Sequence, residues 1–142
     1  MEPQASLPLP VPNPDNQGFW DACRRHELVI QRCTKCRALR HPPRPGCPKC
    51  RSTESEWHRV SGRGIIYTYT ITHQAIHPAL KARVPWTVLL VDLEEGVRMV
   101  SHLVDSSTEQ VRIGMPVEVT FEDVNDEVSL PYFRPSDQGA QS

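Results

Sequence analysis

Four cysteines dominate the chemistry available to this chain. Cys33-x2-Cys36 and Cys47-x2-Cys50 are separated by ten residues, and Cys23 is left over. Paired knuckles of this kind put four thiolates on two tight turns that converge tetrahedrally on one Zn²⁺, with backbone N–H groups aimed at the sulfurs. Two disulfides or one redox CxxC are the alternatives. A thioredoxin-like site wants one CxxC opening a helix after a strand, whereas Pro48 and the run Pro42-Pro43-Arg44-Pro45 suit knuckle turns. Four cysteines fill a tetrahedral site and leave no position for water or substrate, so the metal is expected to be structural. Its work would be to fold a ribbon too poor in large apolar side chains to offset its own chain entropy.

Other chemistry is thin. Six histidines are present, yet none falls into a nucleophile–base or metal-ligand spacing. His73 and His77 are four apart, but Pro78 and the surrounding strand signals argue against a shared helical face. There is no Gly-x-Gly-x-x-Gly, Walker loop, His-Glu-x-x-His or Gly-x-Ser-x-Gly. No catalytic residue is therefore assigned, and a free-standing enzyme is disfavoured. Charge is segregated: residues 24–51 carry nine Lys/Arg against Glu27 alone, and residues 92–142 carry three against eleven Asp/Glu. Such a run reads as a surface for phosphates, nucleic acid or an acidic partner, or as a solvated charge cluster. The nucleic-acid reading is disfavoured. Residues 57–134 hold seven Lys/Arg against ten Asp/Glu, and single-strand binders need basic grooves interleaved with stacking aromatics.

The elements that must position these residues are short. With 142 residues, 14 prolines and 6% aromatics, the chain fits one compact domain or two very small ones, mainly β. No window nears the roughly 20 apolar residues of a membrane span. The start Met1-Glu2-Pro3-Gln4 lacks signal-peptide features, so a soluble, cytoplasmic protein with no membrane partner is expected.

Residues 1–12 read as a Pro-rich arm. Residues 13–27 read as a helix of about three turns, capped by Asn13 with Pro14 following or by Asp15, with Phe19, Ala22, Cys23 and His26 on one stripe. Cys23 on that stripe reads as a small core residue. Trp20 lies about 100° off it, which leaves a second apolar surface for a partner. Residues 28–56 form the ribbon, with strands near 28–32 and 38–41 and a linker over 51–56. Residues 57–135 read as a small closed barrel with strands at 57–60, 64–72, 86–93, 97–104 and 117–121, followed by a tail over 136–142. In the longest strand Ile65, Tyr67, Tyr69 and Ile71 are expected on one face. Gly62 and Gly64 mark its start, and Glu94-Glu95-Gly96 a hairpin turn.

Several linked motifs in order resemble a known family: a Phe-Trp helix, Leu28-Val29-Ile30-Gln31-Arg32-Cys33, His41-Pro42-Pro43-Arg44, Val60-Ser61-Gly62-Arg63-Gly64, Tyr67-x-Tyr69-Thr70, Ile113-Gly114-Met115-Pro116-Val117 and Leu130-Pro131-Tyr132-Phe133. Over residues 13–135 the chain is similar to the acyl-CoA-associated ribbon–OB proteins, long catalogued as a domain of unknown function. One departure is Arg37, where that family usually has Gly. The resemblance implies an N-terminal helical hairpin, a rubredoxin-like zinc ribbon with Cys33, Cys36, Cys47 and Cys50 as ligands, and a C-terminal OB barrel. It also implies an accessory role beside a thiolase-superfamily enzyme, either a thiolase or a retro-aldolase of steroid side-chain degradation, in a heterotetramer. A hot-dog-fold enoyl-CoA hydratase is the alternative partner. Acyl-CoA would be the ligand of the complex. Arg32, Lys35, Arg40, Arg44 and Lys49 are the basic candidates for its phosphates, and Phe19, Trp20, Tyr132 and Phe133 the candidates for the partner interface.

Overall fold

The computed structural model describes residues 9–75 and 77–136. The expected arm and tail fall outside this description except for 9–12 and Ser136, which carry no helix or strand. Helix α1 is Gln17–Arg24, eight residues, shorter than expected at both ends. At its start Asn13 Oδ1 accepts from the N–H groups of Asp15 and Asn16, and Asn16 Oδ1 accepts from Asn13 N–H. These bonds hold a turn across Pro14 that competes with the helix. At its end His26 has φ of 60°. His26 N–H donates to Cys23 C=O and Glu27 N–H to Ala22 C=O, each at 2.9 Å, the pattern of a Schellman cap. Among the described residues α1 is the single α-helix, so the helical hairpin implied by the resemblance is replaced by one helix leading directly into a strand.

Strands β1 (Val29–Cys33), β2 (Leu39–Arg40) and β3 (Ser55–Arg59) form an antiparallel sheet in the order β2-β1-β3. The segment expected to open the barrel at 57–60 instead pairs with the ribbon, Gln31 opposite Trp57 and Cys33 opposite Ser55. Its partners explain the choice. Arg32 meets Glu56 across the strands at 2.9 Å, Gln31 Nε2 donates to Ser55 Oγ, and Val60 N–H donates to Leu28 C=O. The end of the expected linker is therefore strand.

The barrel comprises β4 (Arg63–Thr72), β5 (Trp86–Leu93), β6 (Arg98–His102), β7 (Pro116–Asp123) and β8 (Ser129–Pro135), ordered β6-β5-β4-β7-β8. A parallel bridge between Leu103 and Phe133 brings the ends together, and Val104 N–H donates to Phe133 C=O at 2.8 Å. This is a nearly closed five-stranded OB barrel. Strand β8 was not expected, because Pro131 interrupts it. The missing donor is tolerated because Pro131 lies outside the Leu103–Phe133 bridge, on a stretch of β8 that ladders with β7 alone.

A bulge between Ile66 and Thr68 breaks the period of β4. Ile66 is fully buried while Ile65 and Tyr67 are 47% and 46% exposed, and Tyr69 and Ile71 turn back against the core. The expected common face is split because the extra residue shifts the side-chain alternation by one. Ahead of it, Gly62 sits at φ +83° against Val119, and a Cβ on Gly64 would overlap the Asp92 carbonyl of β5. Both glycines are structural, one for its dihedral angle and the other for the close approach of two strands.

One apolar core joins all the parts. Phe19, Ala22 and Cys23 of α1 and Val29 and Ile30 of β1 belong to the same buried cluster as Ile66, Leu89, Val91, Val117 and Phe133 of the barrel.

Candidate metal centre

Each knuckle is built the same way. Cys33 leaves β1 into a turn closed by Arg37 N–H donating to Cys33 C=O at 2.9 Å, and the second turn closes by Arg51 N–H donating to Cys47 C=O at 2.8 Å. Arg37 and Arg51 both adopt positive φ, 65° and 67°. Backbone donors face the sulfurs, Cys36 N–H on Cys33 Sγ and Lys49 N–H on Cys47 Sγ. The four Sγ atoms lie within 4.8 Å of one another. Cys33 and Cys50 are 3.4 Å apart, and Cys36 and Cys47 3.5 Å.

All five cysteines are unbridged, and these separations far exceed a disulfide bond. They are close to the edge of about 3.8 Å that a tetrahedron of Zn–S bonds requires. The donor set fits Zn²⁺. Acid–base behaviour agrees with a site made for a cation. The backbone N–H of Cys36 leads the effects that bring Cys33 down to about 6. Cys36 has a backbone hydrogen bond at Ala38 that lowers it, yet neighbouring thiols, Cys47 foremost, and burial raise it to about 11. Four thiols in one small space cannot all ionise without a positive charge among them. Cys23, by contrast, is buried in the core, and burial raises it to about 12.

The basic candidates are brought to different surroundings. Arg32 pairs with Glu56 and Lys35 with Glu54. Lys49 is exposed on the second knuckle. Arg40 is buried in the ribbon sheet and donates through Nη2 to Arg44 C=O at 3.0 Å. Arg40 and Arg44 line a cleft of about 630 Å³ between the ribbon and the β5–β6 hairpin, with Arg98, Asp92 and His41. Arg98 gave no signal in the sequence, since only the barrel places it there.

Of the interface candidates, Phe133 is fully buried, Phe19 is 4% exposed and Tyr132 is 7% exposed, so none of the three is free surface. The closing bridge of the barrel covers Phe133, and α1 packs Phe19 inward. Phe19, Trp20 and Tyr132 nevertheless line one apolar cavity of about 610 Å³ bounded by α1, Pro42 and strands β5, β6 and β8. Inside it Trp86 stacks on His102 at 3.7 Å, and Tyr132 meets both rings edge-on. Burial, then the charge of Arg83, lowers the pKa of His102. His26 was also missed as a positioning residue. It stacks on Phe121 and bonds Asp123 at 2.7 Å, which ties the end of α1 to β7.

The comparisons with known proteins agree with this architecture. Residues 20–56 match the model described as "ChsH2, rubredoxin-like zinc ribbon domain" and residues 57–122 the model described as "ChsH2, C-terminal OB-fold domain". A "DUF35 domain-containing scaffold protein" of Methanocaldococcus jannaschii is 38% identical over 104 residues, 72% of this chain and 73% of that protein. This chain belongs to the DUF35 family. The DUF35 chain is also 41% identical over 136 residues to the "Probable enoyl-CoA hydratase alpha subunit" of Thermomonospora curvata, 96% of this chain and 42% of the relative. It is 38% identical over 127 residues to the "3-oxo-4,17-pregnadiene-20-carboxyl-CoA hydratase alpha subunit" of Mycobacterium tuberculosis, 89% of this chain and 39% of the relative. It therefore spans about two-fifths of the length of those two relatives. Among solved structures, "Ltp2-ChsH2(DUF35) aldolase" superposes with a TM-score of 0.82 at 41% identity, over 89% of this DUF35 chain and 98% of the other.

Proposed function

We propose that this chain is a non-catalytic accessory subunit, folded around a structural Zn²⁺, of a thiolase-superfamily acyl-CoA enzyme. The observation that carries the reading is the likeness to the aldolase structure, which spans nearly all of the matched chain. The partner carries the reacting groups and breaks the Cα–Cβ bond of a β-hydroxyacyl side-chain thioester by retro-aldol chemistry, which leaves the thioester itself intact. This subunit supports the assembly, a heterotetramer with two copies of each chain, and helps form the acyl-CoA passage. The four-cysteine site, closed to substrate, is consistent with that division of labour. A second reading, a subunit of an enoyl-CoA hydratase complex, is favoured by the names of the two hydratase relatives.

The test is capture of the tagged chain from extract of its host, with mass spectrometry after a moderate salt wash and assay of the recovered enzyme. The expected result is a near-stoichiometric thiolase-like enzyme whose activity or stability falls when this chain is withheld. A hot-dog-fold hydratase in its place selects the second reading. A thiolase-like enzyme fully active and assembled without this chain overturns the first.

A further inference from the structure

We propose that the cleft between the ribbon and the β5–β6 hairpin is a phosphate site built on Arg40, Arg44 and Arg98; resting on the function proposed above, its phosphates are those of the nucleotide end of an acyl-CoA. Arg40 is the starting point. It is 5% exposed, its Nε and Nη1 have no hydrogen-bond partner and are shielded from water, and none of the ion pairs among the described residues engages it. A guanidinium stays ionised at neutral pH. Burying one without a counter-charge is expensive, so a charge left in this state marks a place where an anion arrives.

The rest of the cleft agrees. Arg44 is exposed at its edge, and none of the ion pairs among the described residues engages it. Arg98 stands opposite on β6, held at 2.6 Å by Asp92 and lying 3.7 Å over the Tyr67 ring. Asp92 is the one carboxylate among the lining residues, so three guanidinium groups face one acid. Burial pushes His41 down to about 4, and it adds no charge at neutral pH. The surplus of two positive charges matches a phosphate monoester, which carries about −1.5 to −2 at neutral pH, better than a single carboxylate. Planar guanidinium forks suit its oxygens. A volume of about 630 Å³ is in the range of small-molecule sites and larger than one ion needs. In this arrangement Arg44 and Arg98 meet the phosphates at the mouth while the Arg40 charge stands behind them.

Titration calorimetry of the zinc-loaded full chain with coenzyme A, pantetheine and inorganic phosphate tests the site. Coenzyme A should bind, and pantetheine, which lacks phosphate, should bind at least about tenfold more weakly. Arg44→Gln should weaken coenzyme A by about tenfold and flatten the dependence on salt. Arg134→Gln, which alters a residue paired with Glu118 and outside the cleft lining, should leave affinity unchanged. Arg44 is exposed, so its variant folds even if Arg40→Gln does not. The proposal is overturned if pantetheine matches coenzyme A, if coenzyme A does not bind, or if neither Arg44→Gln nor Arg98→Gln changes its affinity. Inorganic phosphate binding as tightly as coenzyme A at the same arginines would overturn the assignment to a nucleotide. Variants that lose the partner enzyme at unchanged coenzyme A affinity would place these arginines at the protein interface, which sinks the cleft and spares the accessory reading. The converse, tenfold weaker coenzyme A binding by a chain that captures no acyl-CoA enzyme, would support the cleft and sink the accessory reading.

Discussion

Arg37 adopts a left-handed conformation at φ 65° immediately after the first knuckle. That conformation costs a residue with a Cβ roughly 1–2 kcal/mol. Glycine avoids the clash but loses part of the gain through its freer unfolded chain. Arg37→Gly should therefore raise the stability of the zinc-loaded protein by about 1 kcal/mol, measured as a higher denaturant midpoint at unchanged slope. A lower midpoint would mean that the Arg37 side chain makes contacts worth more than its backbone strain. His41 supplies a second residue-scale outcome. Burial moves it from its usual 6.5 to about 4. Above the upper value folded and unfolded chains both hold a neutral ring. Between the two values the unfolded chain binds a proton that the folded one refuses, so stability falls with pH and levels off below about 4. His41→Phe keeps a ring against Phe19, now 5.4 Å away. The variant should lose about 2 kcal/mol less than the parent between neutral pH and pH 5. An equal loss in both proteins would show that His41 is not the group responsible. The cysteine site was legible because its signal is purely local spacing. The burial of Arg40 and the role of His26 were not, since each depends on a strand distant in sequence.

At the level of elements, close approach decides more than propensity does. A Cβ on Gly64 would overlap the Asp92 carbonyl and crowd Val91 of β5, backbone and core atoms that cannot swing aside. Gly64→Ala should thus cost about 1–3 kcal/mol although its φ suits alanine. Gly96 at φ +92° has open space around it, so Gly96→Ala should be penalised by its dihedral angle alone, about 1–2 kcal/mol. Thermal melts of the two variants, with crystallography of the first, separate the effects: strand β4 should shift away from β5 only in Gly64→Ala. An undisturbed β4–β5 spacing would refute the close-approach account. The same logic explains what the sequence could not convey. Strand-forming residues at 57–60 were visible, but their choice of the ribbon sheet over the barrel rests on Arg32–Glu56 and Gln31–Ser55 contacts across strands. The bulge at Tyr67 and the fifth barrel strand through Pro131 were hidden because period and propensity describe single strands, whereas bulges and edge positions belong to pairs. The hairpin at Gly96 was legible because its positive φ is a property of a short local turn.

For the whole molecule, the shared core sets how the metal and the barrel depend on each other. Phe19, Cys23 and Ile30 are buried in the same cluster as Ile66, Val91 and Phe133, and His26 fastens α1 to β7 through Asp123. A separate metal module would sit beside the barrel and melt alone. Here β1 carries Cys33 at one end and core residues Val29 and Ile30 along its length, so losing the metal loosens a strand that the barrel packs against. Zinc bound to the folded state alone stabilises it in proportion to the logarithm of free zinc over its dissociation constant. The expected outcome is a single calorimetric transition for the zinc-loaded chain, with a melting temperature that rises with free zinc. Cys33→Ser with Cys36→Ser should lower that temperature, remove its zinc dependence and reduce the yield of any complex. Two resolved transitions, with only the lower one sensitive to zinc, would show that ribbon and barrel fold independently and that the common core does not couple them.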